Sequence, residues 1–113
     1  MKLATKNAAR PKVTMYVCTT CTAESKELLD YFGAMIEEAD IRGVDCMSGC
    51  TNAQTVAFRA KGKTAYLFGE ITEKDSTLLQ NFVRLYAQSP DGTFEDARVL
   101  GTLRTKAIAR IPG

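Results

Sequence analysis

The 113-residue sequence contains no histidine. That absence removes imidazole acid/base catalysis, histidine metal ligation and every histidine-dependent triad. No apolar run approaches the roughly 20 residues that a membrane span needs, so a membrane is not an expected partner. The N-terminal stretch lacks the apolar centre of a secretory signal, which makes the cytoplasm the expected location. The sequence also lacks a phosphate-binding loop, a dinucleotide fingerprint and a nucleophile elbow. Internal repeats and low-complexity stretches are absent as well. What remains is ordinary globular composition, 45% apolar and 25% charged, at a length that suits one domain. Any chemistry must come from the four cysteines, the carboxylates, the cations or the tyrosines.

The net charge of +2 is unevenly spread. Residues 1–23 carry +4 from Lys2, Lys6, Arg10 and Lys12, and residues 97–113 carry +4 from Arg98, Arg104, Lys106 and Arg110. All 13 acids lie in residues 24–96, against seven bases. Such a layout suits an acidic partner or nucleic acid, but solvated basic ends explain it more simply, and nucleic acid is not expected. Residues 1–12 read as a flexible basic arm ending at Pro11, and residues 13–113 as a single domain.

Val13 to Val17 alternates β-branched and aromatic residues and predicts a strand. Thr22 is the predicted cap of a helix over residues 23–40, with Glu24 in its first turn and Leu28, Phe32, Met35, Ile36 and Ala39 at helical spacing. Asp40 to Gly43 reads as a turn and Val44 to Cys46 as a short strand. Thr55 to Arg59 and Thr64 to Phe68 form a hairpin about the basic tip Lys61-Gly62-Lys63. Thr72 caps a second helix with Leu78, Leu79, Phe82, Val83 and Tyr86 on its buried face, stopped by Ser89-Pro90-Asp91-Gly92. Phe94, Ala97, Leu100, Leu103, Ala107 and Ile111 predict a third helix, interrupted by Gly101. The order β-α-β-β-β-α-α begins with a right-handed βαβ unit. The economical solution is a four-stranded mixed sheet with flanking helices, an α/β thioredoxin-like architecture.

The cysteines fall in two pairs, Cys18-x-x-Cys21 after the first strand and Cys46-x-x-x-Cys50 after the second. Parallel neighbouring strands end at the same sheet edge, about 4.8 Å apart, so two loops there can gather four sulfurs round one centre. In the cytosol, clustered reduced thiols read as metal ligands or catalysts before disulfides. The amides of Thr22, Ala23 and Glu24 at a helix N-terminus, the hydroxyls of Thr19, Thr20, Ser48 and Thr51, and the small Gly49 would support thiolates there. Three readings follow: a [2Fe–2S] cluster on four thiolates, a Zn2+ site with four cysteine ligands, and a thioredoxin-type dithiol at Cys18 and Cys21. The dithiol leaves Cys46 and Cys50 unexplained. It also needs a cis-proline facing it, and none of Pro11, Pro90 and Pro112 precedes a central strand.

Val17-Cys18-Thr19-Thr20-Cys21, Cys46-Met47-Ser48-Gly49-Cys50-Thr51 and Thr64-Ala65-Tyr66-Leu67-Phe68-Gly69 resemble a bacterial family of unknown function described as predicted metal-binding proteins. The resemblance covers roughly residues 13–88. That family is similar in turn to the thioredoxin-like [2Fe–2S] ferredoxins, which also use C-x-x-x-C for their second ligand pair. The resemblance carries Cys18, Cys46 and Cys50 onto ferredoxin ligands. Cys21 departs from the pattern, because a longer loop separates the first two cysteines in the ferredoxins.

The resemblance therefore implies an electron carrier rather than an enzyme, with a [2Fe–2S] cluster on Cys18, Cys21, Cys46 and Cys50. A reductase or oxidase would be its redox partner, and a homodimer is the expected assembly. A four-cysteine zinc-binding or metal-handling protein is the alternative. Met15 reads as core, and Met47, inside the ligand loop, as a possible soft ligand. Tyr66 and Phe68 read as sheet residues that would shield the site only if their strand lies beside it. Glu37, Glu38 and Asp40 read as solvated helix-end charges.

Overall fold

The computed structural model describes residues 13–20, 22–45, 53–94 and 96–112. Strand β1 (Thr14–Cys18) leads to helix α1 (Ser25–Met35) and strand β2 (Asp40–Val44). Strands β3 (Val56–Arg59) and β4 (Ala65–Phe68) follow as a hairpin. A 3-10 turn (Glu73–Asp75) runs into helix α2 (Ser76–Gln88). A second 3-10 turn (Ala97–Leu100), the short helix α3 (Leu103–Lys106) and strand β5 (Ala107–Ile111) complete the described chain. The five strands form one sheet in the order β2-β1-β3-β4-β5, with β1 and β2 parallel and the other pairs antiparallel. No helix among the described residues is long and apolar enough to cross a membrane.

Strand register decides which side chains share a face. Met15 and Val17 of β1 stand opposite Phe58 and Val56 of β3, which stand opposite Tyr66 and Phe68 of β4. All six are buried. Helix α1 adds Leu28 and Phe32, and α2 adds Leu79, Phe82, Val83 and Tyr86. Phe82 is the centre of this layer. Its ring lies 4.7 Å from Phe58, 5.2 Å from Phe68, 5.4 Å from Tyr66 and 5.3 Å from Tyr86, centroid to centroid. Three of these contacts are edge-on or tilted, the arrangements that the ring quadrupole favours. The opposite face carries Thr14, Tyr16, Ala57 and Leu67, which are only half-buried, and the exposed Arg42 and Arg59. Among the described residues, the helices cover one side of the sheet.

Thr72 caps the turn into α2 as predicted. Its hydroxyl accepts from the Lys74 amide at 3.2 Å, and Asp75 accepts from the Thr72 amide at 2.8 Å. The basic hairpin tip is a turn, as read. Lys63 Nζ also donates to the carbonyls of Tyr86 and Ala87 at 2.7 and 2.9 Å, where the α2 dipole favours a cation.

Three expectations are corrected. Helix α1 starts at Ser25 and ends at Met35, so it is shorter than residues 23–40; Ile36 turns extended and, with Ala39, enters the core from the connection. The segment Asp40–Gly43 is no turn but most of β2, because the edge of β1 offers it a parallel partner, and the Asp40 amide donates to the Val13 carbonyl at 2.9 Å. Gly43 allows this close packing: a Cβ there would lie 2.8 Å from Thr19 Cγ2 and 2.9 Å from Leu29 Cδ2. The predicted third helix gives way to the 3-10 turn, α3 and β5. Gly101 at φ 62° divides the apolar repeat, and Ala107–Ile111 complete the ladder along the outer edge of β4. The sheet therefore has five strands where four were expected.

Two outcomes follow from this core. Phe82→Ala should lower unfolding free energy by about 3–5 kcal/mol, the usual cost of emptying a buried phenylalanine site, measurable by urea denaturation. Burial raises the Tyr86 phenol to about 12, with the nearby Tyr66 adding to it, and burial also raises Tyr66, partly offset by Arg110. The folded chain then holds its phenol protons more tightly than the unfolded chain. Stability should be intact below pH 10.0 and fall as pH rises to about 12, and Tyr86→Phe should flatten that slope in denaturation series across this range.

Candidate functional site

The candidate site lies at the C-terminal ends of β1 and β2. Parallel pairing sets Cys18 opposite Val44, and the Thr19 amide extends the ladder to the Val44 carbonyl at 2.8 Å. Cys18 is fully buried. Its Sγ lies 3.6 Å from the Asp45 carbonyl oxygen, to which the thiol donates, and 3.6 Å from Thr20 Oγ1. The Thr20 hydroxyl donates to the same Asp45 carbonyl. Asp45 is the residue before Cys46, and consecutive Cα atoms are 3.8 Å apart. Peptide connectivity therefore tethers the second cysteine pair to the carbonyl that Cys18 touches.

A buried glutamine, which sequence reasoning missed, braces this corner. Gln54 Nε2 donates to the Cys18 carbonyl at 2.6 Å and to the Thr55 carbonyl at 3.0 Å. Its Oε1 accepts from the Ser25 hydroxyl at 2.6 Å, and its own carbonyl accepts from Ile71. The Cys18 amide donates to Thr55 at 3.2 Å. One amide side chain thus joins the end of β1, the start of α1 and the entry to β3. The only signal in the sequence was its place four residues after Cys50. Only the fold makes the site apolar enough that an amide must be fully paired.

The expected supports are redistributed. Thr22 does not cap α1 directly; Glu24 holds that position without a side-chain bond. The Thr22 amide donates to Ser25 Oγ at 2.8 Å and the Glu24 amide to Thr22 Oγ1 at 3.1 Å, so two of the three predicted amide donors are used locally. Of the hydroxyls, Thr20 touches Cys18, while Thr19 bonds the Val44 carbonyl at 3.1 Å. Met15 is buried in the core, as read. Tyr66 and Phe68 also belong to the core, and β3 separates their strand from β1. Glu37 and Glu38 are exposed, and Asp40 pairs with Arg42 at 2.7 Å. Cys21, Cys46, Met47, Ser48, Gly49, Cys50, Thr51 and the arm over residues 1–12 lie outside the described residues. Among the described residues no three Cys, Asp or Glu side chains gather as a metal site.

This architecture is a mixed α/β fold of thioredoxin-like type. It is similar to a solved structure described as a thioredoxin-like [2Fe–2S] ferredoxin from Aquifex aeolicus, with TM-score 0.62 and 15% identity over 91% of this chain and 97% of that one. The family model for a protein of unknown function, DUF1636, matches residues 15–113, and the chain belongs to that family. No curated protein matches.

The Gln54 brace has a measurable weight. Gln54→Leu should leave the Ser25 hydroxyl and the Cys18 carbonyl without their buried partner and cost about 1–3 kcal/mol, checked by urea denaturation. Amide exchange at Cys18 and Thr55 should accelerate in the same variant.

Proposed function

We propose that residues 13–113 form one domain that binds a [2Fe–2S] cluster through Cys18, Cys21, Cys46 and Cys50 and works as a small electron carrier. The observation that carries this reading is the 3.6 Å contact between Cys18 Sγ and the carbonyl of Asp45, the chain neighbour of Cys46. It places one thiol of the first pair against the attachment point of the second. The likeness to a ferredoxin fold supports the reading, and so does the donor set of four cysteines without any histidine.

The described residues suit such a ligand set. Cys18 must lose the proton it now donates to Asp45, and the neighbouring Thr20 hydroxyl can then turn its proton toward the thiolate. Gln54 holds the Cys18 backbone from behind, and the parallel ladder holds β2 at a fixed register. A stiff donor set changes shape little with charge. When bound, a [2Fe–2S] cluster supplies one-electron exchange. The acidic stretch 24–96 would then orient a reductase or oxidase of opposite charge, in the reducing cytosol where free thiols persist.

Anaerobic purification with a visible spectrum and metal analysis tests the reading. The expected result is charge-transfer absorption with about two irons and two acid-labile sulfides per chain. Cys18→Ser and Cys46→Ser should each strip most of that absorption. A colourless protein with one zinc overturns electron transfer in favour of a metal-handling role. Four titratable thiols that persist, without absorption, after reconstitution with iron and sulfide overturn the four-thiolate site itself.

A further inference from the structure

A concavity lies at the other end of the sheet order from β2, between strands β4 and β5 and the segment from Phe94 to Arg104. It has a volume of about 350 Å³. Phe68, Phe94, Leu100 and Ile108 contribute its apolar wall, and Arg104 and Arg110 line it as well. A space of this size, mostly apolar with a few charged groups, has the build of a small-ligand site.

The charges around it are unequal in commitment. Arg98 is bound to both oxygens of Asp96, with its closest contact at 2.8 Å, and Lys106 is bound to Asp75 at 2.8 Å. Arg104 and Arg110 form no ion pair among the described residues: Arg104 acts on Asp96 only at longer range, Arg110 faces the Tyr66 phenol, and no acid among the described residues lines the cleft. Two guanidinium groups beside an apolar wall of which Ile108 is exposed and Phe94 half-buried call for a ligand that is itself divided, anionic at one end and apolar at the other. The planar fork of arginine matches a carboxylate in particular. The chain's own first 12 residues have the wrong charge for it, with four cations and no acid. A highly charged phosphate chain would gain nothing from Phe68, Phe94 and Leu100.

We infer that this cleft binds a small carboxylate with a compact apolar body, the carboxylate facing Arg104 and Arg110 and the body against Phe94, Leu100 and Ile108. The cleft is built from the outer edge of the sheet, whereas the cysteine corner is built from β1 and β2, so the inference stands apart from the proposed electron transfer.

Phenylacetate and its neutral counterpart phenylacetamide, titrated to about 10 mM into labelled full-length protein and followed by amide resonances, test it, since even millimolar affinity registers at that concentration. Phenylacetate should move resonances of Phe94, Leu100 and Ala107 to Arg110, with phenylacetamide at least about tenfold weaker, the loss of one charge-assisted interaction. The double variant Arg104→Gln, Arg110→Gln should weaken phenylacetate by a similar factor. Equal binding of acid and amide overturns the inference. So does an unchanged affinity in the double variant, or an absence of shifts with either probe in the unaltered protein.

Discussion

The parallel pairing of β1 and β2 is the constraint on which the rest of the molecule depends. Antiparallel strands would send their ends to opposite edges. Parallel strands joined through α1 send Cys18 and Val44 to the same edge, and the residues that follow each strand meet there. Gly43 eases the pairing, since a Cβ at that point would press on the ends of the Thr19 and Leu29 side chains and they would have to shift. A backbone register, a missing Cβ and a helix crossing therefore act together to close one corner of the sheet. The contact between Cys18 and Asp45 is a consequence of that closure rather than an independent feature.

Away from that corner, stability comes from a single apolar layer. Phe82 reaches into a ring of Phe58, Tyr66, Phe68 and Tyr86, and α1 and α2 are tied by the bond from Gln80 to the Met35 carbonyl at 2.8 Å. At the cysteine corner the buried carbonyls of Cys18 and Thr55 and the Ser25 hydroxyl need partners. Gln54 resolves this by taking three partners at once. Its position explains how a thiol can sit fully buried at the end of a strand without leaving carbonyls unpaired around it.

Much of the fold was legible in local pattern. The alternation of Val13 to Val17, the hairpin about Gly62, the capping box at Thr72 and the buried face of α2 are short-range signals, and each element forms where those signals place it. Two of the misreadings share one cause. Asp40 to Gly43 has turn composition, and Phe94 to Ile111 has helical spacing, yet both regions contribute edge strands. An edge strand is decided by the unpaired amides and carbonyls of its neighbour, which lie far away in sequence. The periodic apolar residues of the last segment still reach the core through Leu100 and Leu103, on either side of Gly101, before the free edge of β4 redirects the chain.

The same division holds for the functional reading. By itself the sequence determined that any metal ligand set must do without histidine, and that its four thiols fall in two close pairs. It also determined that each pair follows a strand. The parallel pair expected from the βαβ order is present, and only the tertiary structure decided its register, how close Cys18 comes to the Asp45 carbonyl, and that Gln54 and Ser25 brace the corner. Composition and spacing are properties of neighbours along the chain, whereas hydrogen-bond satisfaction in a buried corner depends on which distant segments share it.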